Sequence, residues 1–496
     1  MGKRALRFEF LKNKVLLILL MGVVLRVLIA ILRSDAVWPD EQFQALEPAS
    51  KIVFGRGILA WEWQEGYRSW TLPLLYVPIL FLCKLLGFSG GLVPIHASRV
   101  FTVIFSGLSL WRLNEVLFLL RLRPWARLLT FAAFSFSAPM VLWGATTLAD
   151  HWVMITSISF LPTCMRLSGQ KSDRAWYLLG VLAGLPLLLK LQAGIFSFAI
   201  GLGFLIQRKT LRQLVLYASG VFSVVMSLGI LDWVAYGQLF SALIQQLKRG
   251  EMTSRFYGVS PWFDYFSRFV DDQGVWIVIA MAIGFVTVLI RWRAARLFVS
   301  LRWERLWIAV APGLLYFSFH ICIPHKETRF LLPVIPIAYI FFGISLHLFP
   351  GVAFLSRLSQ KYRLSPFLGY MSLGLSGVVA FAFAWATPLY LTTVNIAPLE
   401  AKVYELQNQS GGGSNCLLLM DHNWSWTRGQ LILGDGMTVV ERHVSEFSVD
   451  QDLACSYAIL PESKLPEFSL KAASRAWSWV GRAPSGYVLM RKFQAY

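Results

Sequence analysis

Charge is scarce in this sequence, 15% of 496 residues, and unevenly signed, with 27 acids against 46 lysines and arginines. So little charge beside 56% hydrophobic and 15% aromatic residues excludes a disordered chain, which stays open because it has too little apolar surface to bury. A water-soluble globule is excluded too, since one core could not hide this much apolar surface. The five cysteines, at 83, 164, 322, 416 and 455, show no CxxC spacing, which removes zinc centres, redox motifs and disulfide scaffolds from consideration. Only Cys416 and Cys455 are placed to pair, and two unpaired small residues account for them equally well. There is no internal repeat, low-complexity tract or DxD nucleotide-sugar signature.

What is present is a series of apolar runs, among them 15–32, 96–119, 128–148 and 330–348, close to the roughly 20 residues that carry an α-helix across about 30 Å of hydrocarbon. The chain therefore reads as an all-α polytopic membrane protein. Its formal charge of +19 does not point to nucleic acid, because the excess sits in short segments between apolar runs. Segments 1–14, 121–127, 166–174, 208–212, 291–305 and 351–366 hold 22 Lys/Arg against Glu9, Asp173 and Glu304. This is the bias of cytoplasmic loops. The run 15–32 has basic flanks like a signal peptide but no small-x-small cleavage site after it, and is read as a retained first helix.

If all six basic segments share one side, an even number of crossings separates successive ones. The run 71–87, with Pro73 and Pro78, then becomes a juxtamembrane helix at the external interface, anchored by Trp70, Tyr76 and Lys84. About eleven spans result, near 15–32, 96–119, 128–145, 150–167, 175–190, 193–207, 212–231, 274–290, 306–322, 330–348 and 367–388. Residues 1–388 form the membrane domain, with 33–95 as an external loop. Residues 389–496 form a small external α/β domain, with strands expected at 416–420, 457–460 and 487–490 and a helix near 463–478.

Three external segments carry the chemistry-bearing residues. Trp38-Pro39-Asp40-Glu41-Gln42-Phe43-Gln44-Ala45-Leu46-Glu47 sets two adjacent carboxylates just beyond a membrane helix; they could equally be the acidic first turn of an interfacial helix. Trp61-Glu62-Trp63, followed by Tyr67-Arg68-Ser69, and the stretch Phe256 to Phe266, with Tyr257 and Trp262, suit either sugar stacking or the membrane–water interface. His325-Lys326-Glu327-Thr328-Arg329 brings three potential cations to the mouth of a membrane helix, where they fit a phosphate or make an internal ion pair with Glu327 or Glu47.

Together, Pro-Asp-Glu-x-x-Gln-x-Leu-Glu at 39–47, Trp-Glu-Trp…Tyr-Arg-Ser at 61–69, Phe-Tyr-Gly…Pro-Trp…Tyr-Phe at 256–266 and His-Lys-Glu-x-Arg-Phe…Pro-x-x-Pro at 325–336 resemble glycosyltransferase family 22. These are polytopic mannosyltransferases that use dolichyl-phosphate mannose, including those that add the third mannose of the glycosylphosphatidylinositol anchor. The resemblance covers residues 15–348. It implies the GT-C fold and an inverting transfer of a hexose, expected to be mannose, from a polyprenyl-phosphate donor to a glycolipid or glycan acceptor at the external or lumenal face. It implies Asp40 and Glu41 as catalytic carboxylates. His325, Lys326, Arg329, Arg68 and Lys190 are implied around the donor phosphate, and Gln44, Glu47, Trp61, Glu62, Trp63, Asp150, Tyr257 and Trp262 around the sugars. No metal or other cofactor is expected, and the partners are the two lipid-linked substrates and the bilayer, not nucleic acid.

Two segments depart from the family pattern. Thr146-Thr147-Leu148-Ala149-Asp150-His151-Trp152 stands where the family often has Thr-Leu-Thr-Asn-x-x-Glu, and Lys190-Leu191-Gln192 where it has Arg-Pro-Thr. The compact length and these departures point to a bacterial inner membrane with a periplasmic site, the endoplasmic reticulum being the alternative. A lipid-linked-sugar transporter or flippase is the alternative function; such proteins commonly show the repeated halves that this sequence lacks.

Overall fold

The computed structural model describes residues 2–33, 38–256, 258–273, 275–349, 399, 402–406 and five strands between 416 and 492, without the side chains of 2–12, of most of 272–283 and of the strands other than 417, 457–460, 489 and 490. Among these residues, four helical stretches are long and apolar enough to cross a membrane: Asn13–Leu32, Val93–Leu119, Leu211–Tyr236 and Trp303–Cys322. At 1.5 Å per residue they reach roughly 30–40 Å. Trp143, Trp176 and Tyr339 lie fully buried in the core between the helices.

Several expected spans are interrupted, and proline or a local unwinding marks each break. The run expected at 128–145 is two helices, Pro124–Phe136 and Ala138–Trp143, hinged at an extended Ser137 just before Pro139. The run expected at 175–190 stops at Gly184 and continues as the 3-10 turn Leu185–Leu188 around Pro186, because a proline offers no N–H to the helical ladder. The run expected from 330 starts as a helix only at Ile335, after the 3-10 turn Thr328–Leu331. The eleventh expected span, 367–388, lies outside the described residues, as do Tyr257, Cys455 and the domain boundary near 388.

Thr71–Leu85 forms a 15-residue helix, about 22 Å long and too short to cross. Its Tyr76, expected at the interface, is instead fully buried; its hydroxyl meets Thr102 Oγ1 at 2.8 Å and accepts from Trp152 Nε1 at 2.6 Å. Lys84 caps the Val53 carbonyl at 2.7 Å, so this helix is bolted to the external loop as well as to the bundle.

The C-terminal strands form one mixed sheet of order β2-β1-β3-β5-β4. β1 (Cys416–Met420) pairs in parallel with β2 (Thr438–Arg442) and β3 (Tyr457–Pro461); β5 (Tyr487–Lys492) runs antiparallel between β3 and β4 (Trp477–Arg482). Three of these strands are those expected from alternation. β4 corrects the expected helix near 463–478 at its last two residues; its register slips between Trp479 and Gly481, a bulge that blurs the period-two pattern. Leu417, Tyr457, Ile459 and Leu489 share one apolar cluster with Ala45, Leu46, Ala49 and Val53 of the external loop. The sheet thus supports the segment that carries Asp40.

Helices Asp173–Gly184 and Leu211–Tyr236 touch backbone to backbone, because Gly180 faces the Tyr217 carbonyl oxygen and Gly220 the Tyr177 carbonyl oxygen, and a methyl group on either glycine would overlap that oxygen. Small residues at such crossings allow close packing where lipid leaves no hydrophobic drive. Gly180→Leu is expected to force the pair apart at about 1–3 kcal/mol or more; a thermal unfolding midpoint in detergent equal to the parent's would refute this packing.

Candidate active site

A cavity of about 1320 Å³ opens at the end of the bundle where Trp303–Cys322 finishes and Ile335–Leu348 begins. Its walls come from the external loop (Trp38, Asp40, Gln44, Trp61, Glu62, Arg68), from Asp150, from Lys190 and Gln192, from helix Ser241–Phe256, and from the segment His320–Phe330.

Asp40 sits in a helical conformation directly before Glu41–Leu46, a turn wound to π geometry. Such widened turns recur at functional sites. Its carboxylate pairs with Arg329 Nη1 across 289 residues and accepts from Gln44 Nε2 at 2.7 Å. Arg329 also pairs with Glu327 through Nε, and Glu327 meets His325 Nε2 at 2.6 Å. Trp38 and Phe330 flank the Arg329 guanidinium, with ring centres 5.0 and 5.3 Å away. Arg68 holds Glu62 Oε1 at 2.7 Å, and Gln44 links Glu62 back to Asp40. Beside the same Phe330 ring, Lys190 Nζ lies 2.5 Å from Asp150 and 4.1 Å from the ring centre. Both departures from the family pattern therefore meet in one ion pair.

Electrostatics divide the carboxylates. Burial raises the Asp40 pKa above the usual carboxylate range; Arg329 opposes this, while Glu62 and Glu327 reinforce it. Burial also acts to raise Glu327, but Arg329 and His325 outweigh it and hold Glu327 at about 2. Against its own burial, Arg329 is held charged by Asp40 and Glu327. One carboxyl with a raised pKa beside another locked as a carboxylate is the pattern of a proton acceptor next to a fixed counter-ion.

The expected residues do not all converge. Glu41 is one helical step from Asp40 and points inward, 3.4 Å from Arg99, its carboxylate accepting from the Thr147 N–H. Glu47 is buried and accepts from Gln42 Nε2 at 2.8 Å and the Ile58 N–H at 2.6 Å, tying down the loop that leads to Trp61 and Glu62. Lys326 turns its ammonium to the Ile321 and Ile323 carbonyls, away from the cavity. The extended backbone at Glu327 turns Lys326 to the opposite side from Glu327, and the 3-10 turn that begins at Thr328 brings Arg329 back beside Glu327. Trp63 is buried, donating to the Phe43 carbonyl at 2.8 Å, while Trp61 stays on the rim. Trp262 is 62% exposed and stacks edge-on with Phe263 and Phe266, away from the cavity.

Sequence reasoning passed over Gln192, Gln246, Gly250 and Ser254. The last three recur every four residues and so face the cavity together from helix Ser241–Phe256. That spacing was the available signal. The helix is latched to the external loop by Ser241 Oγ on the Gly66 carbonyl at 3.1 Å, Gln246 on the Tyr67 carbonyl at 3.3 Å and an Arg249–Glu65 ion pair. Gly66 has φ +66, and a side chain there would strike Ser241.

With this geometry in view, relatives are informative. Residues 17–409 match the Alg9-like mannosyltransferase family, and the chain belongs to it. It is 26% identical over 336 residues to the Arabidopsis thaliana protein named Mannosyltransferase APTG1, covering 66% of this chain and 58% of that one. It is 27% identical over 351 residues to Homo sapiens GPI alpha-1,2-mannosyltransferase 3, covering 69% and 60%. The chain thus spans less than two thirds of the length of these relatives. Among solved structures, ArnT from Cupriavidus metallidurans bound to undecaprenyl phosphate superposes with a TM-score of 0.60 at 14% identity, covering 96% of this chain and 97% of that one. The protein is a multi-pass membrane protein with the GT-C glycosyltransferase fold.

Lys190→Met strands the nearly buried Asp150 carboxylate and is expected to destabilise the protein by about 3–5 kcal/mol, whereas Lys190→Met with Asp150→Leu recovers most of that loss. Thermal unfolding of the single and double variants measures the difference; equal losses would disprove the coupling.

Proposed function

We propose that this protein transfers a hexose, in this reading mannose, with inversion from a polyprenyl-phosphate donor to the hydroxyl of a glycolipid or glycan acceptor. The observation that carries the reading is the meeting of Asp40 with Arg329 at a cavity large enough for two sugars. Family membership supports the reaction class, and the undecaprenyl phosphate bound by ArnT supports the donor class. The basic segment 291–305 lies at the other end of the bundle from the cavity, since Trp303–Cys322 begins beside Arg302 and Arg305 and ends at the cavity. By the positive-inside rule the cavity faces away from the cytosol, to the periplasm in a bacterial inner membrane or the lumen in an endoplasmic reticulum membrane.

In this mechanism Asp40 takes the acceptor hydroxyl proton as that oxygen bonds to C1 and the C1–O bond to the phosphate breaks through an oxocarbenium-like state. The electron pair of the broken bond leaves on the polyprenyl phosphate, a weak base that needs cations rather than a proton donor. Arg329, His325, Lys190 and Arg68 supply that environment. Before substrate binds, Arg329 is shared between Asp40 and Glu327. A donor phosphate that draws Arg329 toward itself frees Asp40 to act as base, so donor binding comes before proton transfer. Gln44, Trp61, Glu62, Gln192 and Gln246 offer hydroxyl partners and a stacking edge for the two sugars. No metal ion has a role in this scheme, and activity is expected to survive EDTA.

Asp40→Asn is expected to lower kcat by about 10²–10⁴-fold with donor binding little changed, as read with labelled polyprenyl-phosphate mannose and purified protein. Activity should rise with pH through a pKa above the roughly 4 of a free carboxylate, because the base works when ionised and its proton is held more tightly than usual. Near-parental turnover in Asp40→Asn would end the assignment. Arg329→Ala should raise the donor KM and lower kcat; unchanged values would remove Arg329 from the phosphate.

A further inference from the structure

At the end of the bundle opposite the cavity, three elements bring arginines together. The turn after Val93–Leu119 carries Arg121 and Arg123, both exposed. The junction between helices Trp292–Ser300 and Trp303–Cys322 carries Arg302 and Arg305. Arg305 Nη1 donates to the Leu119 carbonyl at 2.9 Å and the Arg123 N–H donates to His347 Nδ1 at 3.0 Å, which fixes the turn against both the junction and the end of Ile335–Leu348. Arg302 lies over the Phe298 ring at 4.2 Å, and its Nε–H is buried with no acceptor among the described residues. Burial first, and then the like charges of Arg121 and Arg305, push its guanidinium below the usual range.

Among the described residues, no acid forms an ion pair with this cluster. Nearby carboxylates are committed elsewhere: Glu304 to Lys209 at 3.1 Å, Glu115 to Arg112 and Arg166, and Asp173 to Arg212. Residues 350–398, which follow His347 and lie outside the described residues, contain no Asp or Glu at all. Beside the cluster, Trp292–Ser300 turns Ala295 and Phe298 inward while Trp292, Leu297 and Leu301 remain 60%, 59% and 70% exposed. That is the pattern of a short helix lying in the interface with apolar side chains among acyl chains.

We propose that Arg121, Arg123, Arg302 and Arg305 form a binding site for the phosphate of an anionic phospholipid in the leaflet opposite the active-site cavity. Arginine forks suit phosphate oxygens, and those of Arg121 and Arg123 are exposed. The exposed Trp292, Leu297 and Leu301 place acyl chains beside the phosphate, which favours a lipid over a soluble anion. The site is independent of the sugar-transfer chemistry.

The test is native mass spectrometry of the full chain released from detergent, titrated with phosphatidylglycerol or with phosphatidylcholine of the same acyl chains. The parent should retain phosphatidylglycerol with at least about tenfold preference. Affinity should fall about fivefold for each guanidinium removed, first in Arg121→Gln and further in Arg121→Gln/Arg302→Gln. Arg121 is exposed in a turn, so the single variant stands as the test if the double variant fails to fold. Arg329→Ala should leave the retention unchanged, separating this site from cations in the cavity. Equal retention of the two lipids, retention unaffected by Arg121→Gln, loss in Arg329→Ala alone, or full displacement by millimolar inorganic phosphate would each overturn the proposal.

Discussion

The ion pair between Asp40 and Arg329 is the constraint on which the external half of the molecule depends. It closes a loop of nearly three hundred residues and fixes the first external segment relative to the helix hairpin that ends the described bundle. Charges brought this far out of water are tolerated only when each has a partner and further hydrogen bonds. The surroundings meet that demand: Gln44 completes Asp40, Glu327 and two aromatic rings complete Arg329, and Arg68 with Glu62 forms a second layer. The cavity is therefore lined by paired charges, and in the proposed reaction the donor phosphate would exchange partners within this existing lattice.

This pairing separates roles that the raw sequence leaves mixed. Five carboxylates reach the cavity wall; Glu251 pairs with Arg255 at its exposed edge, and neighbours decide what each of the other four can do. Glu327 is held ionised by Arg329 and His325, Glu62 is taken by Arg68, and Asp150 by Lys190. Asp40 has burial working against its charge and a partner that a phosphate can claim. In the proposed scheme proton acceptance therefore falls to Asp40 and the anion to Arg329.

Much of this was legible in the sequence, and the failures have definite causes. Charge distribution and run length gave the helical bundle, the non-spanning helix within 71–87, observed at Thr71–Leu85, and the shared end of the bundle for Asp40 and Arg329. The errors concern direction. Glu41 follows Asp40 by one helical residue and Lys326 precedes an extended Glu327, and in each geometry a single step turns a side chain away from its neighbour. Proximity along the chain does not predict which of two adjacent charges enters a cavity until the local backbone is known. Tyr76 was misread for another reason: an aromatic with a hydroxyl suits both a headgroup layer and a buried hydrogen bond, and only its partners Thr102 and Trp152 decide between them. Gln246, Gly250 and Ser254 were visible as a four-residue repeat but carry no charge to draw attention.

The packing of the C-terminal sheet against the first external loop has a consequence for how distant changes are felt. Leu489 and Ile459 press on the same cluster as Ala45 and Leu46, the residues that follow Asp40 around its widened turn. Loosening a strand by a single large-to-small change would let that turn relax, and the lapse would register as slower chemistry at a carboxylate more than four hundred residues earlier in the chain. The sheet acts as a backstop, and its integrity can be audited from the catalytic side.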